Sequence, residues 1–313
     1  MPKTRHHTKT FRIFVSSTFS DFKTERDELQ SDVFQGLRNH CESRGYKFQV
    51  VDLRWGVTDE AGLDQQTMKI CLDEIRRCQE ISPRPNFIIL LGDRYGWRPL
   101  PYEIRRDEFE KFIFFIKSEF GEQLLRENEI VSETAQKLLN KWYILDENAL
   151  PECYLLKPRE TGITDLMPLE MQKKLIKEEN ECWGKVENSI RAIFRVLLEH
   201  IPDLSDEERF KYMLSATEQE IVAGALNDPR AAAHVFCFSR HIAGIPKDNS
   251  SRGYIDPDDS GDPDGMLEAL RVKLQKALPK ENIFKYEAEW KDGKVTTGHI
   301  KKLCEDEIGR AHV

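Results

Sequence analysis

The sequence predicts an α/β protein built on a parallel sheet and interrupted by a block of helices. Three observations carry this. Strand-sized apolar runs alternate with helical spacing over the first hundred or so residues, helical periodicity prevails from about Asp107 to Asn227, and the alternation then resumes.

The first strand is the apolar run from Phe11 to Ser17, which ends in the turn Ser16-Ser17-Thr18. A helix follows from Asp21, with Phe22, Leu29, Val33, Phe34 and Leu37 on one stripe and Gly45 where a C-cap is wanted. Tyr46 to Leu53 is the second strand, and the polar loop Arg54 to Leu63 leads to a helix carrying Met68, Ile70, Cys71, Leu72, Ile75 and Cys78. Ser82-Pro-Arg-Pro85 ends that helix. Asn86 to Leu91 is nearly all apolar, as a central strand covered on both faces must be. A β-α-β-α-β series of this spacing implies parallel strands, right-handed crossovers and a flavodoxin-like order 2-1-3.

Phe109, Phe112, Ile113, Phe115 and Ile116 then form a dense apolar face, and Met171 to His200 carries a second apolar stripe that includes Trp183 and Phe194. The stretch from Pro151 to Pro168 reads as a loop. Ser205-Asp-Glu-Glu208 offers a capping box for a helix reaching about Leu226. Ala233 to Ser239 is a fourth strand, Asn249 to Gly265 a polar loop, Met266 to Leu278 an amphipathic helix, Ile283 to Trp290 a fifth strand of edge character, and Thr296 to Ile308 a last helix. The expected organisation is a disordered stretch at 1–9, the first half of a five-stranded α/β domain at 10–103, a helical insertion between strands 3 and 4 at 104–204, the second half at 205–308, and a tail or cloning remnant at 309–313. The expected strand order is about 2-1-3-4-5.

Composition excludes several classes. A net charge of −8 with acids and bases interspersed leaves no basic footprint, so no direct nucleic-acid binding is expected. The richest apolar run, Phe87 to Leu91, is strand-sized, and Lys3, Arg5, His6 and His7 precede no apolar signal region. The seven cysteines are scattered and never form C-x-x-C. Together these predict a cytoplasmic globular protein without a membrane partner. No phosphate-binding G-x-x-x-x-G-K-[ST] loop, dinucleotide fingerprint, G-x-S-x-G elbow or metal-ligand spacing of histidines is present.

In an open parallel sheet, ligands sit at the carboxyl ends of the strands, near the point where strand order reverses. The loops that qualify are Ser16-Ser17-Thr18, Arg54-Trp55-Gly56 and Gly92 to Arg98, the last with Asp93, Arg94, Tyr95 and Trp97. The hydroxyls could hold a phosphate or ribose, or only cap the helix at Asp21. Arg54 and Trp55 could meet a planar anionic ligand, or form a salt bridge under an indole. Two glycines, two aromatics and three charges make the 92–98 loop more than a turn. Glu218 and Glu220, two apart on one helix, point to different faces, so one is expected in the crevice and the other in solvent.

Five segments together resemble a known family: Phe11 to Leu29, Val51-Asp-Leu-Arg-Trp-Gly56, Leu91 to Pro101, Ser215-Ala-Thr-Glu-Gln-Glu-Ile221 and Phe236-Cys-Phe-Ser-Arg240. They are similar to a TIR-like domain family of unknown function that stands in front of NACHT-type STAND ATPases bearing WD40 or tetratricopeptide repeats, as in telomerase-associated and NACHT–WD-repeat proteins. The resemblance spans roughly residues 10 to 305. It implies a TIR-like sheet, a signalling or effector role exerted by self-association, an attached NACHT ATPase as partner, and a setting in defence or stress signalling. TIR domains that cleave NAD use a glutamate near the start of the helix before the fourth strand. That resemblance implies Glu220, with Glu218 as second choice, as a catalytic carboxylate, and NAD or a related nucleotide as substrate or ligand with no further cofactor required. Here the long helical block separates the 92–98 loop from that helix, whereas TIR domains keep the two adjacent. Nucleotide sensing without turnover is the third reading of the same crevice.

Overall fold

β-Branched and aromatic residues alternate between two cores along the strands. In the first strand Ile13 and Val15 enter one apolar cluster with Phe22, Leu29 and Phe34, while Phe14 enters another with Cys71, Ile75 and Ile221. The central strand divides in the same way, with Ile88 and Leu90 on one side and Phe87, Ile89 and Leu91 on the other. A strand with both faces covered needs this continuous apolar run, and all five residues of Phe87–Leu91 are buried.

The computed structural model describes residues 9–53, 65–160, 162, 167–201, 204–256 and 262–311, with the side chains of the last helix described as far as Asp306. The stretch expected to be disordered at 1–9 (Lys9 excepted), Arg54 and Trp55 lie outside the described residues. Among the described residues the strands, in chain order, are β1 (Thr10–Ser16), β2 (Lys47–Val51), β3 (Phe87–Leu91), β4 (Glu103–Arg105), β5 (Tyr143–Asp146), β6 (Cys153–Leu156), β7 (Val235–Ala243), β8 (Ile283–Lys291) and β9 (Lys294–Val295). The chain divides into two units. One comprises Met1–Gly56, Ile70–Trp97 and Ser215–Val313, and the other comprises Val57–Lys69 and Arg98–Leu214.

The first unit is a mixed α/β layer structure around a mostly parallel sheet of order β2-β1-β3-β7-β8-β9. β1 pairs in parallel with β2 and β3, β3 with β7, and β7 with β8, from Cys237↔Ile283 to Ala243↔Glu289. The sheet therefore has six strands where the sequence led us to expect five. The sixth, β9, folds back antiparallel on β8 through Asp292 and Gly293, both at positive φ. That is the conformation a two-residue hairpin turn demands, and Asp-Gly supplies it, but a two-residue strand is too short to register as alternation. β7 is also longer than expected, running to Ala243.

The second unit corrects the reading of the middle block as helical throughout. β4, β6 and β5 form a three-stranded antiparallel sheet, and β6 lies inside the stretch from Pro151 to Pro168 expected to be a loop. Strands of three and four residues fall below the window over which period two can be recognised. Around them the helices Arg106–Ile116, Glu119–Glu127, Ser132–Trp142 and Leu169–His200 bury one apolar cluster. Phe194 sits at its centre, with ring centroids 5.4 Å from Phe112, 6.0 Å from Tyr143 and 4.8 Å from Tyr212.

The helix expected to run unbroken from the Ser205 cap to Leu226 is split. The capping box is present, with Ser205 and Glu208 bonded reciprocally, but the helix ends at Met213. A second cap at Ser215 starts the helix Ala216–Ile221, which continues as a π-turn over Val222–Leu226. The last helix begins at Ile300 and runs to Ala311, into residues expected to be tail.

Phe194→Ala removes the ring on which these contacts converge. It is expected to lower stability by roughly 3–5 kcal/mol, read as a fall in the urea midpoint without loss of the far-UV helical signal at zero denaturant.

Candidate functional site

β1 leads to β2 on one side, and β3 lies on the other, so strand order reverses between β1 and β3. Ser16 ends β1, and Gly92 to Trp97 follow β3. Gly92 is glycine because a Cβ there would lie 2.3 Å from an Asp21 carboxylate oxygen and 3.2 Å from Arg240 Nη2.

The helix Ala216–Ile221 is tied to both loops. Ser16 Oγ donates to Glu220 Oε2 at 2.6 Å. The Tyr95 hydroxyl donates to Glu218 Oε2 at 2.5 Å, and Lys273 Nζ donates to Glu218 Oε1 at 2.8 Å. The Ser215 N–H donates to the Tyr95 hydroxyl oxygen at 3.2 Å, and the Ala216 N–H to the Trp97 carbonyl at 2.8 Å. The expectation that one glutamate meets solvent is therefore overturned. Glu218 and Glu220 do point in different directions, but both directions are lined by protein, and their exposures are 1% and 8%.

Burial pushes the Glu220 carboxyl up to about 7, against hydrogen bonds from Ser16 and Cys71 and the charge of Arg26. Burial, with the Glu220 charge beside it, raises the Cys71 thiol far above its ordinary range. A carboxyl that takes up and releases a proton near neutrality is chemically suited to acid–base work. Its Oε2, however, is engaged by Ser16.

A second buried network lies behind the loop. Arg240, at the end of the apolar run Phe236 to Ser239, donates to the Asp21 carbonyl at 2.7 Å and to Glu25 Oε1 at 2.5 Å. Its guanidinium lies 4.3 Å from the centroid of Phe22, and His299 Nε2 is 2.9 Å from Glu25 Oε1. Burial pushes Asp21 up to about 7 in spite of Arg240 and Thr18. Burial alone would raise Glu25 too, but His299 and Arg240 hold its carboxyl below the ordinary range.

The remaining candidates take several roles. Ser17 Oγ donates to the Thr18 carbonyl at 2.8 Å, and Thr18 Oγ1 donates to the Asp21 carboxylate. The helix itself begins at Lys23 without a side-chain cap, so the hydroxyls do not cap it. Asp93 accepts from the Ile242 N–H at 2.6 Å and from Arg271 at 3.0 Å, which fastens the loop to β7 and to the helix Pro263–Ala277. Arg94 donates to Asp256 at 3.2 Å and to the Ser20 hydroxyl. Trp97 is 44% exposed. The structure thus buries two separate pairs against one helix, Ser16 with Glu220 and Tyr95 with Glu218. Asp93 and Arg94 belong to the anchoring of the loop, and Arg54 and Trp55 lie outside the described residues.

Sequence reasoning passed over Lys273, Cys71, Asp256 and the pair Asp21 and Glu25. A cation just after an apolar run, as Arg240 follows Val235 to Phe238, is the one local signal that a buried counter-charge must exist. Among the described residues no group of three or more His, Cys, Asp or Glu is placed to hold a metal, and no helix is long and apolar enough to cross a membrane.

Comparison with known proteins reaches part of this arrangement. Residues 12–113, which carry Ser16 and the whole 92–98 loop, match the family described as domain of unknown function (DUF4062). Over that segment, about a third of its length, the chain is similar to this family. The proteins it is similar to include NACHT and WD-repeat proteins. It is 29% identical over 244 residues to NACHT and WD repeat domain-containing protein 2 of Homo sapiens, covering 76% of this chain and 13% of that protein. It is 29% identical over 224 residues to NACHT domain- and WD repeat-containing protein 1 of Mus musculus, covering 72% and 12%. Telomerase protein component 1 of Rattus norvegicus is 33% identical over 104 residues, covering 33% and 4%. The matched region is thus only about an eighth of the length of the first two relatives. No solved structure matches the chain.

The folded carboxyl of Glu220 holds its proton above the value of 4.5 at which an unfolded glutamate loses it. Its contribution to stability is therefore whole below pH 4.5 and declines until pH reaches about 7. At ~1.4 kcal/mol per pKa unit the loss is a few kcal/mol. Glu220→Gln cannot ionise, so the stability of the wild type minus that of the variant is expected to fall across this window and to level off above it. Urea midpoints measured through the range check this, and a constant difference would refute it.

Proposed function

We propose that this chain is the signalling or effector module of a NACHT-type STAND ATPase and acts by self-association. The observation that carries this reading is the closure of the candidate site. Both oxygens of Glu218 and one of Glu220 are engaged by Lys273, Tyr95 and Ser16, so the two carboxylates brace a helix against two loops. Side chains used in this way hold a surface in shape and require no chemistry. The relatives support the setting, since their names join NACHT and WD-repeat regions and this chain matches only a small share of their length. Attachment to such an ATPase, a cytoplasmic location and a place in defence signalling belong to the same proposal.

A second reading has one specific observation in its favour. Glu220 is a buried carboxyl, raised to about 7, on the helix Ala216–Ile221 that precedes β7 in the chain, and bonded to the residue that ends β1. A TIR-like NAD glycohydrolase would use such a group to stabilise oxocarbenium-like charge at the nicotinamide-side ribose. A non-catalytic nucleotide sensor would keep the pocket and tolerate loss of this carboxylate.

Two measurements on the same sample separate the readings. Sedimentation velocity across a concentration series is expected to show reversible association, and a chain that stays monomeric at every concentration would count against the module reading. Incubation with NAD is expected to release no more nicotinamide from the wild type than from Glu220→Gln. Release that vanishes in the variant would transfer the assignment to the glycohydrolase.

A further inference from the structure

The loop after β3 turns two consecutive backbone N–H groups toward one point, and a carboxylate from elsewhere in the chain already sits there. Asp256 Oδ2 accepts from the Tyr95 N–H at 2.7 Å and from the Gly96 N–H at 2.9 Å. Its Oδ1 accepts from Arg94 Nε at 3.2 Å. The Asp256 side chain is 8% exposed and that of Arg94 25%. Arg94 also donates to the Ser20 hydroxyl, which in turn donates to the Gly253 carbonyl at 2.8 Å.

The loop is built for this. Gly96 has φ of 98°, which L side chains rarely adopt, and a Cβ there would lie 2.8 Å from Thr18 Cγ2. Successive N–H groups that converge beside a guanidinium form the concavity in which proteins seat phosphate oxygens. The two oxygens of Asp256 divide the donors as two oxygens of one phosphate would, one bridging the amides and the other on the guanidinium. The position is also where an open α/β sheet takes its ligands, at the carboxyl end of the strand beside the reversal of strand order.

We infer that Arg94 and the N–H groups of Tyr95 and Gly96 form a binding site for a phosphate-bearing ligand, and that Asp256 is its internal occupant, which the ligand must displace. With Asp256 withdrawn, Arg94 faces the site, while Asp93 remains bonded to Arg271 and to the Ile242 N–H. The site then favours an anion. The inference stands apart from the glycosidic-bond reading, because neither Glu218 nor Glu220 supplies any of these donors.

The test is calorimetric titration of inorganic pyrophosphate, and of ADP beside it, into the whole chain and into Asp256→Ala, Asp256→Asn and Asp256→Ala/Arg94→Ala. A tethered competitor acts at an effective concentration on the order of millimolar, so its removal is expected to tighten binding about tenfold or more. Arg94→Ala in the same background is expected to loosen it again. Asp256→Asn, which keeps the side chain and removes the charge, is expected to fall between wild type and Asp256→Ala, and it carries the test if Asp256→Ala does not fold. Variants at Asp256 that bind no better than wild type overturn the inference, as does tightened binding that survives loss of Arg94. Tightened binding of either ligand that is lost with Arg94 supports the site, and the tighter of the two says whether a nucleotide or a free diphosphate fits it.

Discussion

A guanidinium sealed from water must be answered by carboxylates, and in this fold Arg240 is 1% exposed. Its position in β7 fixes where Asp21 and Glu25 must stand, and with them the segment that follows β1. The contact is tight enough that Gly92 can carry no side chain. The segment after β1 and β7 are thus joined by a charge network as well as through the sheet, and Gly92 at the end of β3 packs against it. Such a network adds little net stability over a well-packed apolar equivalent, but removal of any member leaves the others buried and unanswered. What it confers is geometry. The loop after β3 can take only one course past these side chains.

The candidate site inherits that course. Once the loop is placed, Tyr95 reaches Glu218, the Trp97 carbonyl receives the Ala216 N–H, and Ser16 reaches Glu220. Two chemistries coexist in a small volume: a carboxyl near neutrality held inside the protein, and an anion cradle facing Asp256. The first is shaped by burial, the second by backbone conformation. They answer to different physical causes and meet at Tyr95, whose hydroxyl bonds Glu218 while its N–H bonds Asp256.

How much of this was legible in the sequence depends on how far a signal reaches along the chain. β3 was legible because five consecutive apolar residues admit a buried strand and little else. The Ser205 cap was legible because its partner, Glu208, lies three residues away. The break at Leu214 and Ser215 was not, since Ser215-Ala-Thr-Glu218 reads equally well as a continuing helix or as a new cap, and the choice is made by Tyr95, more than a hundred residues earlier. The burial of both glutamates was illegible for the same reason. Ser16 and Lys273 stand far from them in the chain, and a charged residue on a helix carries no mark of what it will face.

The discontinuity of the first unit has a consequence for how the chain assembles. β3 pairs with β7, yet residues 98–214 must be made between them, and these build a unit with its own apolar core. On a ribosome, Phe87–Leu91 emerges long before its partner on that side. Until Val235–Ala243 arrives, the most apolar strand of the protein has an unfilled edge, the kind of surface that pairs with another nascent chain. The intervening unit is rich in local helical contacts, which form quickly, whereas the β3–β7 ladder closes a long loop and forms late. The order of synthesis therefore leaves the junction of β3 and β7, with the loop after β3 beside it, to take its shape late.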